Sequence, residues 1–501
     1  DGKWDVTDWE TAIDKTVTGI KSIVDSQGAN ALGAWVSPQA TLEEMYLLQG
    51  IVRHLGSNNI DHRMLQVDFR AQGFESNKPL LGIGISEIEQ QNSIFVIGSN
   101  IRKEQPIVAH RLRKAALAGA TVNVLNPRDF DLRMDVAANI HSHPATLASD
   151  LAAIAAAVGA NRQAVDHLIK AAKPTEQHAA VAASLKEAEH GLIMLGQIAE
   201  QHPDFSILAE LAAAIGEASN AVVAVLPVAG NTVGAWQAGI VPHRLPGGAA
   251  IDQPGHNFAQ MQEQPPAALI LHNIEPEHDC ADPQKAMAAV NAAQFCVALT
   301  PYVNDHIKDY ADVILPIVPY TETDGTFVNM EGLAQSFNAA VKNYAESVPA
   351  WKVYRVMGEK LGIDGYCYET AAEVSAEVIQ LGQEQQAAAP VNEKLEQQLV
   401  DSTLMRSGEA SIYATDSLVR RAQALQNTAD GRSRRLAVVN SGTAVKSGIP
   451  VDATHVLITQ GGQVVEMELH IDDGMADDCI WAPLVPELGG LNCEVQIKAV
   501  S

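Results

Sequence analysis

The sequence predicts an α/β protein closed by a β-rich C-terminal module, and three observations predict it. Short apolar runs alternate with helical patterns from the start, as in βα units on a mostly parallel sheet. Alanine dominates from about Ala145 to Ala224, with helical periods and few strand signals. Beyond about residue 400, strand-like runs alternate with turns, which reads as an all-β module.

Taken in order, "ALGAWV" (31–36) is a strand, and Ser37-Pro38 is placed to start a helix. "TLEEMYLLQGIVRHLG" (41–56) spaces its apolar residues helically and ends at Gly56, the position of a C-cap glycine. "SIFVIGSN" (93–100), helix "PIVAHRLRKAALAGA" (106–120) and strand "TVNVLNPR" (121–128) make one βαβ unit. "HGLIMLG" (190–196) is the clear strand within the alanine-rich stretch. Strands return at "AALILHN" (267–273), "FCVALTP" (295–301) and "ADVILPIV" (311–318), with a turn at Asp324-Gly325. "AWKVYRVMGEKLG" (350–362) is a glycine-terminated helix, and Gln380 to Val400 reads as a connector. "LAVVNSG", "THVLITQGG", "VVEMELHI" and "EVQIKAV" supply the C-terminal strands.

At roughly 150 residues per domain, 501 residues suggest three or four domains. A hydrophobic share of 47% and a charged share of 19% give material for several cores. A net charge of −26 repels phosphate backbones and anionic lipid, so nucleic acid and membrane surfaces are poor partners. No apolar run is long enough to insert directly into a bilayer. Cys280, Cys296, Cys367, Cys479 and Cys493 are sparse, which argues for a reducing compartment and buried free thiols. The opening "DGKWDVTDWETAI" reads as the middle of a longer polypeptide.

Chemistry is thinly marked. Gly98-Ser99-Asn100 ends a strand ahead of a helix and could hold a phosphate on backbone N–H groups, without GxGxxG spacing. His62, His141 and His143 lack metal-ligand spacing, and no cysteines pair closely enough to suggest an iron–sulfur site. Glu322, Asp324 and Glu331 read as turn and surface carboxylates, and Asp472, Asp473, Asp477 and Asp478 as surface charge. No catalytic triad and no metal site can be assigned.

Several stretches together resemble the molybdopterin-oxidoreductase superfamily. They are "DGKWDVTDWETAI", "TLEEMYLLQGIVRHLGSNNIDHR", "VIGSNIRKEQPIVAHRLRKAALAGATVNVLNPR", "GNTVGAWQAGIVPHRLPGG", "ADVILPIVPYTETDGTFVNMEG" and "SIYATDSLVRRAQALQNT". "GSNIRKEQP" followed by "RLRKAA" resembles most the large peripheral-arm iron–sulfur subunits of bacterial NADH:quinone oxidoreductase, respiratory complex I. The resemblance implies two molybdopterin-oxidoreductase-like α/β domains, one inserted in the other, and a C-terminal β-barrel-like domain. Residues 1–65 and 225–350 would form the first and 66–224 the inserted Rossmann-like one. A helical connector at 351–400 and the barrel at 401–501 would follow.

The same resemblance implies a metal ligand, Cys, selenocysteine or Ser, after the segment matching "GSNNIDHR". Here "MLQVDFRAQGFESN" follows, with Ser76 as the one substitute, and Leu333 stands where "N-x-E-G-R-x-Q" has arginine. An arginine fork can hold an anionic group, and leucine cannot. The expectation is therefore a cofactor-free structural portion of the complex I subunit with no catalytic residue, at most a vestigial pterin site at Gly98, Ser99, Asn100 and Glu331. [2Fe-2S] and [4Fe-4S] clusters would belong to the full-length parent chain. Its partners would be the parent's N-terminal iron–sulfur domains and other peripheral-arm subunits, at the cytoplasmic face of the inner membrane. The other readings are a molybdopterin-dinucleotide-dependent oxidoreductase and a stand-alone protein-binding or assembly module.

Overall fold

Four runs that are apolar at nearly every position and the two-residue Ile60–Asp61 form the first sheet, all parallel, in the spatial order Val313–Pro316, Phe295–Thr300, Ala268–His272, Leu32–Val36, Ile60–Asp61. Continuous rather than alternating hydrophobicity is what a sheet covered on both faces requires, and all five residues of Leu32–Val36 are buried. The computed structural model describes residues 4–500 apart from 77, 305, 382–385, 387, 400–403 and 451. The helix after the first strand begins at Leu42, not at Ser37-Pro38, because Thr41 and Glu44 form a reciprocal capping box. It runs to His54, and Gly56 follows at φ +85°.

Between Ile60–Asp61 and Ala268–His272 the chain builds a second parallel sheet, ordered Ala138–His141, Thr121–Asn126, Ser93–Ile97, Gly191–Leu195, Val222–Val225. It grows outward from Ser93–Ile97 in one direction and then crosses back to grow in the other. Both sheets thus have a topological switch point, the place where open α/β sheets leave a crevice beyond the carboxyl ends of their strands. Ala138–His141 and Val222–Val225 were not foreseen. The first is four residues long, and the second follows the helix Phe205–Ser219 after only two residues, so helical alanine masks it.

The region after 400 is not all-β. Helices Ser417–Arg421 and Ser441–Lys446 accompany a seven-stranded mixed sheet ordered Cys493–Glu494, Met405–Ser407, Cys479–Trp481, Leu436–Val439, Gln463–Ile471, His455–Gln460, Gln496–Ala499. The two edge strands are separated in sequence only by Val495, so the sheet must curl until its edges nearly meet. The stretch expected as a connector partly falls outside the described residues, and the rest is not merely solvated. Val391 and Leu395 are buried in the core of the second α/β unit.

Asp324-Gly325 is not a turn. Gly325 opens strand Gly325–Val328, which pairs antiparallel with Ala334–Phe337, and the chain reverses at Asn329–Gly332, where Gly332 has φ +82°. Gly325 is needed for closeness instead, since a Cβ there would lie 2.4 Å from Thr41 Cγ2.

Arg406 is fully buried and meets no carboxylate. Its guanidinium donates to the carbonyls of Ala482 (3.1 Å), Pro483 (2.5 Å) and Gly489 (3.0 Å) and to Gln460 Oε1 (2.9 Å), tying three segments of the curled sheet together. Arg406→Leu should cost at least about 3 kcal/mol by stranding these acceptors, read as a lowered urea midpoint.

Candidate functional site

The cavity at the first sheet's switch point has a volume of about 440 Å³, within the roughly 300–1,000 Å³ usual for cofactor and ligand sites. Its wall includes Ser37-Pro38-Gln39 from the end of Leu32–Val36, Leu226–Ala229 after Val222–Val225, and Ala410, Ser411 and Ala414 from the C-terminal module. All three parts of the chain therefore meet there.

The polar end is built on the two-residue strand Ile60–Asp61. Asp61 accepts from the backbone of His62 and Arg63 and takes the Arg63 side chain bidentately, at 2.9 and 2.8 Å. Burial would raise its pKa, but Arg63 more than offsets that and holds Asp61 below the usual carboxylate range. The guanidinium also lies 4.7 Å from the Phe69 ring and 5.5 Å from that of Trp236. Its Nη1 is 3.8 Å from Glu75 Oε1, beyond hydrogen-bond distance, and has no partner.

Around this pair much hydrogen-bonding capacity is unspent. Glu75 and Glu200 line the cavity, and one oxygen of each is buried without a partner. Burial pushes the Glu200 carboxyl up to about 7, partly countered by Arg63 and reinforced by Glu104 and Glu75. Burial raises Glu75 as well. His62 is held near 4 by burial, so it is neutral. Its Nδ1–H donates to the Ile240 carbonyl at 2.7 Å, leaving Nε2 unpartnered. His243 stands behind Trp236 and is kept down at about 3 by burial and then Arg63, so its 3.6 Å approach to Glu75 is not an ion pair. An unpartnered buried polar group costs about 1–3 kcal/mol, so this cluster awaits partners from a ligand or ordered water.

Of the residues singled out from sequence, His62 and Ser76 line this cavity and the others lie elsewhere. At the second sheet's switch point Gly98 has φ +56°, and a Cβ there would sit 2.6 Å from the Ala199 backbone nitrogen. The crevice is filled from within: the Glu104 carboxylate accepts from Ser99 Oγ (2.8 Å), Asn100 N (2.8 Å) and Gln197 N (3.1 Å). Asn100 also borders a smaller cavity shared with Glu409 of the C-terminal module. Glu331 accepts from Ile85 N at 2.7 Å and Asn329 Nδ2 at 3.3 Å and is not on the large cavity's wall. Leu333 is 56% exposed. Ser76 does line the cavity, its hydroxyl donating to the Lys78 carbonyl at 2.6 Å.

His141 pairs with Asp129, and His143 caps Ala145. Cys280, Cys296 and Cys479 are buried, whereas Cys367 and Cys493 are exposed. Glu322 and Asp324 accept backbone N–H groups of Tyr344 and Ala339. Among the described residues no group of three or more His, Cys, Asp or Glu could hold a metal, and no helix is long and apolar enough to cross a membrane. Arg63 and Glu75 lie in the quoted segments "GSNNIDHR" and "MLQVDFRAQGFESN", but nothing marked them or Glu200 individually, because ordinary charged residues become unusual only when the fold buries them together.

Two expectations follow. Arg63→Leu should cost about 3–5 kcal/mol by leaving Asp61 buried and unpaired, and adding Asp61→Asn should recover part of it in urea unfolding. For Glu200 the folded pKa lies above the ordinary value, so its stabilising contribution is full below pH 4.5 and lost as pH rises through about 7. Relative to the parent, Glu200→Gln should therefore gain stability between these limits, by up to about 3 kcal/mol.

The molybdopterin oxidoreductase family model matches residues 1–360. A Staphylococcus haemolyticus protein named as a candidate formate dehydrogenase is 24% identical over 439 residues, 75% of this chain and 44% of its own length. A similarly named Staphylococcus aureus protein is 23% identical over 447 residues, 76% of this chain and again 44% of the relative. The chain thus spans less than half the length of these curated relatives. Acetylene hydratase from Pelobacter acetylenicus superposes with a TM-score of 0.71 over 96% of this chain and 83% of that one, at 13% identity, a likeness of fold. These matches overturn the expectation of a cofactor-free structural portion of complex I with no cofactor and no catalytic residue. The relatives bear oxidoreductase names of another kind, and the fold is that of a cofactor-binding unit with an open cavity. Leu333 misled that expectation because it lies on an exposed hairpin away from the cavity. The chain belongs to the molybdopterin oxidoreductase family.

Proposed function

We propose that this chain forms the cofactor-binding core of a molybdopterin-dependent oxidoreductase, with the organic part of the cofactor in the large cavity. The observation that carries the reading is the unspent polar wall at the first sheet's switch point, where a partly buried Glu75 and Glu200 flank an incompletely satisfied Arg63. The donor set fits a flat, polar heterocycle. Trp236, Phe74 and Val225 offer apolar surface, and the charged wall offers both donors and acceptors. Bound there, a molybdenum or tungsten pterin supplies two-electron redox chemistry.

The chain's own residues position and hold protons. Arg63, fixed by Asp61, presents a permanent positive charge without moving, so no reorganisation is needed when a ligand arrives. Glu200, titrating near 7, exchanges a proton at its carboxyl oxygen within the neutral range. Ser76 Oγ is the hydroxyl on this wall at the stretch where the family places its metal ligand, beside the side-chain oxygens of Gln66 and Glu75. For the outer part of a dinucleotide, Gly98, Ser99, Asn100 and Glu331 remain proposed contacts. A phosphate would have to displace Glu104 from the Ser99, Asn100 and Gln197 donors. The names of the curated relatives support an oxidoreductase acting on a small molecule.

Production in a host that makes the cofactor, followed by metal analysis and fluorescence of the oxidised pterin, tests this reading. Molybdenum or tungsten together with pterin, each near one per chain, is expected. Protein free of both would overturn it.

A further inference from the structure

We propose that Arg63, Glu75 and Glu200 recognise the 2-amino-4-oxo edge common to pterin and guanine rings, and thereby select these rings over analogues lacking the 2-amino group. The inference rests on the reading of the cavity as a cofactor site and names the residues that choose which ring enters it.

The wall supplies one unspent guanidinium nitrogen, Arg63 Nη1 with its two N–H groups, and carboxyls on Glu75 and Glu200 that no protein donor satisfies fully. Its best partner therefore presents two adjacent N–H donors beside an acceptor. A 2-amino-4-oxo ring has that order along one edge: the exocyclic amine, the ring N–H and the carbonyl. A carboxylate takes the first two side by side, and a guanidinium N–H takes the third. An aliphatic amine would satisfy the carboxyls but leave Arg63 Nη1 stranded, and a simple anion would satisfy Arg63 while repelling both glutamates. Elsewhere on the cavity wall, Trp236, Phe74 and Val225 give apolar surface suited to a ring. The wall carries charges of both signs, Arg63 paired with Asp61 beside Glu75 and Glu200, which suits a neutral heterocycle with donors and an acceptor on one edge. Discrimination is expected to be strong, because the desamino ring leaves a buried carboxylate unpaired.

Binding of neopterin, its 2-oxo analogue carrying the same side chain (a 6-substituted lumazine), guanosine monophosphate and inosine monophosphate to the cofactor-free 501-residue chain tests the proposal by calorimetry. Either neopterin or guanosine monophosphate should bind at least roughly 10- to 100-fold more tightly than its desamino counterpart, and which of the two does so identifies the ring. Glu75→Gln and Glu200→Gln, isosteric changes that keep the cavity filled, should reduce that preference, and Glu200→Gln should abolish the proton release on binding near pH 6 expected of the parent. Equal affinity within both pairs, or a preference unmoved by both variants, would overturn the proposal. Protein from the competent host that still carries metal and pterin would show such a failure to be one of ring recognition and not of the cofactor reading.

Discussion

The bidentate pair between Asp61 and Arg63 is the contact on which the centre of this molecule depends. It sits at the end of a two-residue strand, where the chain leaves the first sheet to build the second. Burying either charge alone would cost several kcal/mol, so the pair fixes both side chains together. Phe258 N adds a further hydrogen bond to Asp61 Oδ2 at 3.1 Å, and Gln72 accepts from Arg63 at 2.7 Å. The strand end, the loop after it and helix Phe258–Glu263 are thereby locked around one rigid cation.

From that cation the electrostatics of the cavity follow. Glu75 and Glu200 are drawn towards Arg63 but not satisfied by it, and burial raises both carboxyls, Glu200 to about 7. Their imbalance is specific to this switch point. The equivalent crevice in the second sheet has been closed by the protein's own Glu104, whose carboxylate takes the donors that a ligand would need. One fold therefore shows both states of such a crevice, one self-satisfied and one open.

The C-terminal module completes the enclosure through a second buried ionic network. Arg420 reaches Asp279 at 2.6 Å and Glu275 at 2.9 Å, and Arg421 joins Glu275 at 2.7 Å. Arg420 also grips the Ala414 carbonyl at 2.5 Å, so the segment lining the cavity is held from the same point. Much of this architecture was legible in the sequence. Leu32–Val36, Ser93–Ile97 and Ala268–His272 announce themselves because sheets covered on both faces require unbroken apolar runs. Ala138–His141 did not, being short, and Val222–Val225 was hidden behind an alanine-rich helix. The site was nearly illegible. Gly98-Ser99-Asn100 has the local look of a phosphate turn, yet long-range closure by Glu104 spends its donors. Arg63, Glu75 and Glu200 are 12 and 125 residues apart in turn and carry no spacing that sequence could reveal.

The central claim is that the large cavity is a binding site organised by Arg63 and the two glutamates. An experimental density map of the protein from a cofactor-competent host tests it most directly. The account predicts density for a fused-ring heterocycle against Trp236, with its polar edge within hydrogen-bond distance of Arg63 and of Glu75 or Glu200. A cavity holding only ordered water, or a pterin bound elsewhere, would contradict it.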